Sequence, residues 1–467
     1  MEEGMKGVDR FLIPRPRGEL RYRCILCEGA FPLDRFLYTC PLCGGLLRIE
    51  DLRFEELKEV SPEGWREVFD RRRFLGVEVL KGIFLFHELI LPTVPLEDVI
   101  YLGEGHTPMV RANEELSQWV GVPFLLKYDG LNPSLSFKDR GMASAVSFIN
   151  YMIRHRGLEE VLGICASTGD TSAAAALYLS YLPKERVRSV VLLPEGRVTP
   201  AQLSQPLGSG ATVIEVPGVF DDCMKIVEEL AERYEVCLLN SKNPLRIQGQ
   251  KSYSYEVAQQ LGWDTRSLVV VVPIGNAGNV TAIMEGFLDL YRLGLIEELP
   301  TVLGVQSEHA NPLVLWRRTG QYRPVKVRPS VAQAAMIGNP VSFPKVAQLV
   351  EQHYGDRFVV VEVSESEIME GMLMANRHGH VVCTQGGEAV AGLRKALAEG
   401  LLRPEGRFVV KSTAHHLKFA GFQQMYFEDA FPPEYGIRPK DELKNRPVKL
   451  PASAQEIARF LGLKPKG

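Results

Sequence analysis

Leu268-Val-Val-Val-Val-Pro-Ile-Gly-Asn-Ala-Gly-Asn279 decides the fold. The apolar run from Leu268 to Pro273 is strand-length and rich in β-branched valine, so it reads as a strand buried on both faces. It ends in a Gly-rich turn, and an apparent helix follows from Ala282. Strand, turn and helix in that order build an α/β sheet, whose ligands collect at the carboxyl ends of the strands. Working outward, the pattern repeats from about residue 98 to 415. Val122 to Lys127, Leu162 to Ala166, Ser189 to Pro194, Ala211 to Val216, Val302 to Gln306 and Phe408 to Lys411 read as further strands. Helical stretches such as Phe220 to Tyr234 and Gly386 to Leu397 fall between them. The alternation predicts βαβ units and mostly parallel sheets covered on both faces. No fixed-period repeat interrupts it. Asp51 to Val79 is charged and amphipathic, as linking helices are. Phe431-Pro-Pro-Glu434 and Pro439 to Pro451 read as an irregular arm, and Ala452 to Leu463 as a terminal amphipathic helix.

Size and charge narrow the function classes. At about 150 residues per domain, 467 residues correspond to roughly three domains. With 45% hydrophobic and 24% charged residues, the composition suits a large packed core and excludes a disordered scaffold. Lys plus Arg (54) nearly balances Asp plus Glu (57), a net charge of -3. A chain that grips many phosphates of a nucleic acid should be visibly basic, so no nucleic-acid partner is expected. No signal-peptide pattern opens the sequence and no run reaches the length of a membrane span. The expected location is the cytoplasm, where disulfides are disfavoured.

Of eight cysteines, Cys165, Cys223, Cys237 and Cys383 sit among apolar neighbours and read as small core residues. The others form two pairs, Cys24-Ile-Leu-Cys27 and Cys40-Pro-Leu-Cys43, twelve residues apart. Each pair can wrap a knuckle around one side of a metal ion, and four thiolates complete a closed tetrahedral zinc site. Gly44 and Gly45 follow the second pair, where a turn toward a metal needs positive φ; Glu28-Gly29 after the first is a looser match. A closed four-sulfur site has no open position, so such a zinc is structural. Free thiols or two disulfides are the alternatives.

Two Gly-rich turns stand at strand ends: Ala166-Ser-Thr-Gly-Asp-Thr-Ser-Ala-Ala-Ala-Ala176 and Pro273-Ile-Gly-Asn-Ala-Gly-Asn279. The second has the form of a phosphate cradle, with Gly275 and Gly278 letting backbone N–H groups approach an anion at a helix start. Neither has the spacing of a dinucleotide fingerprint. Upstream, Asn132-Pro-Ser-Leu-Ser-Phe-Lys-Asp-Arg-Gly141 places Lys138 at a helix start with Ser136 as a possible cap. There the helix dipole should push its ammonium toward the neutral amine, which can condense with an aldehyde.

In order and wording these motifs resemble the fold-type-II pyridoxal-phosphate enzymes, and within them the threonine synthases. The resemblance runs from Tyr101-Leu-Gly-Glu-Gly-His-Thr-Pro108 to Thr413-Ala-His-His-Leu-Lys-Phe419 and covers about two-thirds of the chain. Asn240-Ser-Lys-Asn-Pro-Leu-Arg-Ile-Gln-Gly-Gln-Lys251 is similar to the motif that separates threonine synthases from dehydratases and cysteine synthases. Gly304-Val-Gln-Ser-Glu308 and Ile337-Gly-Asn-Pro-Val341 add further matches. Leu135, where a small residue is common, Val381-Val-Cys-Thr-Gln-Gly-Gly-Glu388 and Ala414-His-His416 depart from the usual wording.

The resemblance implies two open, twisted, mostly parallel-sheet domains and a small N-terminal zinc ribbon. The segments would be a ribbon over 1–55, a large cofactor domain over 56–150 and 245–430, a small α/β domain over 151–244, and a C-terminal arm over 431–467. It implies that Lys138 carries pyridoxal 5'-phosphate and moves protons among the substrate carbons. Phe137, Asp170, Gly275, Asn276, Ala277, Gly278, Asn279 and Thr413 would complete the cofactor site. Ser167, Thr168, Ser241 and Arg246 would bind the substrate, O-phospho-L-homoserine, whose conversion with water yields L-threonine and phosphate. By the same resemblance Asp170 would fall near the cofactor's phenolic oxygen, where the family places an Asn or Asp and where an ionised carboxylate can only accept. A homodimer is implied as well. The rival readings are a cysteate synthase-like enzyme, a threonine or serine dehydratase, and a degenerate synthase whose ribbon binds RNA or protein.

Overall fold

The computed structural model of the chain describes residues 7–465 apart from 168, 196–199, 219 and 235. Strands β1 (Leu20–Cys24), β2 (Ala30–Pro32) and β3 (Leu47–Asp51) form a small antiparallel sheet in the order β2-β1-β3. The chain then lays down β4 (Met109–Arg111) and β5 (Phe124–Tyr128). It leaves for a separate parallel sheet of β6 (Val161–Ala166), β7 (Val187–Pro194), β8 (Thr212–Val216) and β9 (Val236–Leu238), ordered β8-β7-β6-β9. Returning, β10 (Leu268–Pro273), β11 (Thr301–Ser307), β12 (Phe358–Val363) and β13 (Arg407–Ser412) join the earlier pair in the order β12-β11-β10-β13-β5-β4. That sheet is parallel except for the edge strand β4.

The valine run is its middle. Every residue of β10 is buried, and Val271 sits opposite Leu303 on one side and Val410 on the other. A strand enclosed by neighbours and by helices on both faces has no solvent side, which is why it does not alternate. β8, at an edge, keeps no buried residue. The three ribbon strands, β4, β9 and β12 were not anticipated. β9 and β4 have three residues each, too short for any period to register.

Helix ends follow their caps. The terminal helix runs over Ala454–Phe460 rather than from Ala452, because the Ser453 side chain accepts from Glu456 N and fixes the start there. The helix after β10 begins at Gly278, four residues before the expected Ala282. No described helix is long and apolar enough to cross a membrane. The carboxyl ends of β5, β6, β9, β10 and β13 all turn toward one cavity.

Candidate active site

That cavity has a volume of about 850 Å³. Phe137 and Lys138 enter it after β5, Ser167 and Asp170 after β6, and Ser241 and Arg246 after β9. Gly275, Asn276, Ala277, Gly278 and Asn279 enter after β10, and Thr413 after β13. Thr168 lies outside the described residues.

Lys138 is the first residue of the helix Lys138–His155. The preceding loop is tied to the exit of β13: Phe137 N donates to Thr413 O at 2.9 Å and His415 N to Leu135 O at 3.0 Å. Leu135 adopts φ 66°, a left-handed conformation that a smaller residue tolerates more easily. The expected Ser136 cap does not form. The N-cap is Phe137 with no side-chain bond, and Lys138 N approaches Ser136 Oγ only to 3.4 Å. Burial, followed by the Arg246 charge, lowers the Lys138 amine to about 7; Asp170 opposes this, while Lys411 and Lys418 add to it. Desolvation therefore dominates, in place of the helix dipole expected from sequence. The Nζ stands 4.3 Å from the centre of the Phe137 ring.

The turn after β10 bends at a residue other than its two glycines. Ala277, at φ 62°, takes the left-handed conformation. Gly275 is required for closeness instead: a Cβ there would lie 2.9 Å from Ala335 Cα. Asn276 ties the turn to the neighbouring loop, accepting from Ser342 N at 3.1 Å through its carbonyl and from Val341 N at 3.4 Å through Oδ1. Both polar side-chain atoms of Asn279 are buried without a partner. With the free N–H groups of the helix Gly278–Arg292, the Asn279 Nδ2 amide forms a donor set suited to an anion.

At the other end of the cavity Arg246 is only 2% exposed. It rides on the helix Pro244–Gln250, whose N-cap Asn243 accepts from Leu245 N. Its Nη1 donates to Leu239 O at 2.9 Å, and its Nε is buried without a partner. No carboxylate pairs with it among the described residues, so it is not the surface ion pair that an isolated arginine would suggest. Burial lowers it to about 10, which still leaves it charged at neutral pH. Ser241 lines the cavity beside it, and Ser167 Oγ accepts from Gly169 N at 3.2 Å.

Several neighbours, Lys242 and Lys326 in the cavity wall among them, escaped the sequence reading, and four others bear on its site residues. Asn240 clamps Ala166 by accepting from its N at 3.0 Å and donating to its O at 2.7 Å. Lys418 Nζ pairs with Asp170 Oδ1 at 2.8 Å and donates to Ser134 O at 2.9 Å. Lys411 lies 4.9 Å from the Phe137 ring centre. Cys383, read as core, is buried but lies 3.7 Å from Thr413 Oγ1, and burial pushes its thiol up to about 11. Asn240, Lys418 and Cys383 fall inside quoted stretches without a site role, and Lys411 ends a predicted strand with nothing to mark it as a neighbour of the site.

Apart from the cavity, the Sγ atoms of Cys24, Cys27, Cys40 and Cys43 lie within 4.8 Å of one another, and all four are free thiols. The two knuckles repeat. Cys24 N and Cys40 N donate to Gly29 O and Gly45 O, and Leu26 N and Leu42 N approach Cys24 Sγ and Cys40 Sγ at 3.4 Å. Glu28 (φ 57°) occupies the left-handed position that Gly44 (φ 72°) holds in the second knuckle. Four sulfurs at this spacing can share one ion with bonds of about 2.3 Å.

The sequence profile of the family described as "Pyridoxal-phosphate dependent enzyme" matches residues 100–413. The chain is 36% identical over 443 residues to a threonine synthase of Methanocaldococcus jannaschii, covering 94% of this chain and 98% of that one. It is 33% identical to threonine synthase 2, chloroplastic, of Arabidopsis thaliana, covering 92% and 82%. Among solved structures, the threonine synthase of Escherichia coli superposes with a TM-score of 0.66 at 21% identity, covering 95% and 99%. That of yeast gives 0.63 at 19% identity, covering 91% and 93%. At those identities the structural likeness speaks for the fold.

Proposed function

The chain belongs to the pyridoxal-phosphate-dependent enzymes and, within them, to the threonine synthases, and from that premise we propose how its cavity turns O-phospho-L-homoserine and water into L-threonine and phosphate. When bound, the cofactor supplies a conjugated ring that stores the electron pair left as a proton leaves carbon. Lys138 would hold it covalently. Asn279, with its partnerless amide, and the N–H groups at the start of its helix would take the cofactor phosphate. Phe137, Gly275, Asn276, Ala277 and Gly278 would shape the surrounding wall. Asp170, paired with Lys418, would stand beside the ring, and Thr413 would offer a neutral hydroxyl.

The observation that carries the substrate assignment is Arg246, a buried guanidinium with a free Nε and no carboxylate among the described residues, opening on the same cavity as Lys138. A dianionic phosphate supplies the missing counter-charge and matches the planar fork of donors. Ser241 adds a neutral bond to it, and Ser167 with Thr168 would hold the substrate's carboxylate or phosphate. With the amine at about 7, Lys138 is substantially neutral at physiological pH and can take protons from Cα and Cβ and return them. The phosphate leaves Cγ with the electron pair of its C–O bond; Lys138 returns one proton to Cγ, which becomes the methyl carbon, and the other to Cα, while the oxygen of water bonds to Cβ and its extra proton passes to the released phosphate.

Incubation with phosphohomoserine, phosphoserine and phosphothreonine, reading inorganic phosphate and the amino-acid product, tests this. Phosphate release with threonine formation from phosphohomoserine is expected. Turnover of phosphoserine alone would make the enzyme cysteate synthase-like instead.

The finer organisation belongs to the same reading. The two parallel sheets support a large domain over 56–150 and 245–430 and a small one over 151–244, with 1–55 as ribbon and 431–467 as arm. The matched sulfur knuckles support one structural Zn2+ per chain on Cys24, Cys27, Cys40 and Cys43. Metal analysis should find one zinc, lost in Cys40→Ser. Family likeness supports a homodimer in the cytoplasm, which sedimentation and fractionation would check.

A further inference from the structure

Strand β9 is an edge. It pairs only with β6, through residues whose polar groups point that way, and Leu239 N donates to Ile164 O at 2.8 Å. The groups on its other side, Val236 O and Leu238 N, would be left open. No described strand takes them. The Tyr38 hydroxyl does both tasks, donating to Val236 O at 3.2 Å and accepting from Leu238 N at 2.8 Å. Tyr38 lies two residues before Cys40, in the N-terminal ribbon, 200 residues from Leu238 along the chain. Its ring packs on the same small core as Ile164, Val236 and Leu238.

Past β9 the chain enters the phosphate end of the cavity, and that end hangs on the same strand. Asn243 Nδ2 donates to Leu238 O at 2.9 Å, so Leu238 is held by Tyr38 at its N–H and by the helix cap at its carbonyl. Arg246 Nη1 reaches back to Leu239 O at 2.9 Å. Asn240, next along, clamps Ala166 beside Ser167. A chain of contacts thus runs from Tyr38 through Leu238 and Asn243 to the helix that carries the guanidinium.

We propose that Tyr38 is a positioning residue for the substrate's phosphate: the ribbon lends one hydroxyl to the bare edge of β9 and so fixes where Ser241 and Arg246 stand. This rests on the reading of Ser241 and Arg246 as the phosphate-binding pair. Among the described residues, Tyr38 forms no hydrogen bond with β10, β13 or the turns that follow them, which carry the cofactor end. A hydroxyl that only stabilised the fold would, when removed, disturb both ends alike.

The test compares Tyr38→Phe with Arg246→Lys in the holoenzyme. For Tyr38→Phe, the KM for phosphohomoserine and the inhibition constant of inorganic phosphate should both rise about tenfold. Its kcat should stay within twofold and its cofactor affinity and absorbance should not change. In parallel, Arg246→Lys should raise the same KM by more. If Arg246→Lys raises KM while a folded Tyr38→Phe does not, the positioning role is wrong and the phosphate reading stands. If neither changes KM, the phosphate reading fails and this inference with it. Loss of cofactor affinity in Tyr38→Phe together with the KM rise would mean general destabilisation and would also overturn the proposal. Should the variant not fold, hydrogen exchange on the wild-type holoenzyme serves. Added phosphohomoserine should slow exchange of the Leu238 amide, and unchanged exchange there would contradict the role.

Discussion

Two buried arginines ride on helices that pack against each other, Arg140 on Lys138–His155 and Arg246 on Pro244–Gln250, and meet opposite fates. Arg140 is fully enclosed and every donor is used. It binds Asp129 Oδ1 at 2.7 Å, Glu256 Oε1 at 2.5 Å and Oε2 at 2.8 Å, Ser252 Oγ at 3.0 Å and Thr107 Oγ1 at 3.1 Å. Burial works against its charge, but the carboxylates of Asp129 and Glu256 more than offset this and hold it well above its ordinary value. Arg246 is nearly as deep and, among the described residues, has only a carbonyl. Burial lowers it to about 10 with no carboxylate to oppose the shift. The two regions touch, since a Cβ on Gly141 would come 3.0 Å from Arg246 O. The difference therefore comes from partners and not from depth. A buried cation whose counter-charge is part of the chain holds the fold; one without it waits for an anion from outside.

The largest effect expected is at Arg140. Arg140→Met strands Asp129 and Glu256 beside Lys127 and Lys411 and should cost about 3–5 kcal/mol in denaturant unfolding. A loss below about 1 kcal/mol would mean the network carries little. Next comes Arg246→Met, for which kcat/KM should fall about 100- to 1000-fold, or ~3–4 kcal/mol of transition-state stabilisation. Its melting temperature without substrate should hold or rise, because an uncompensated buried charge has been removed. A drop in stability like that of Arg140→Met would erase the contrast. Asn279→Leu extends the logic to a neutral group. Cofactor affinity should weaken by about tenfold, roughly the worth of one hydrogen bond, with the cofactor-free protein no less stable. Equilibrium dialysis and a thermal melt read the two quantities.

The smallest effect is electrostatic. Lys138 has its amine lowered to about 7 by burial and then by Arg246, so capture of the cofactor by the cofactor-free protein should quicken as pH rises through about 7. The neutral amine is the reactive form, and it predominates above that value. Removing the Arg246 charge removes one of the causes, so in Arg246→Met the midpoint should move to higher pH. A midpoint that does not move would show that the two ends of the cavity do not sense one another.

Much of the cavity could be read from the sequence because its residues lie in turns that end parallel strands. The β10 valines announce a buried strand, so Gly275–Asn279 must sit at a carboxyl end; the same holds for Ser167 after β6 and Thr413 after β13. Sheet geometry then gathers positions hundreds of residues apart. The hidden part depends on side chains that meet only in three dimensions. Nothing near Asp170 in sequence points to Lys418, and nothing near Leu238 points to Tyr38. The depressed Lys138 amine was legible, but its main cause was not: a helix start can be read from a sequence, and the depth of a cavity cannot. The Ala277 turn teaches the same lesson, since the glycine pair reads as room for an anion, while the close approach of Gly275 to Ala335 and the left-handed bend at Ala277 depend on contacts made only in three dimensions.

The most direct test of the central claim concerns which amine carries the cofactor. Besides Lys138, Lys242 and Lys326 line the cavity and Lys411 and Lys418 lie within electrostatic reach of its amine, and borohydride reduction of the holoenzyme would fix the cofactor wherever it is attached. Peptide mapping by mass should place it on Lys138, with Lys242, Lys326, Lys411 and Lys418 unmodified. Label on any of those four, or on none of the five, would contradict the account.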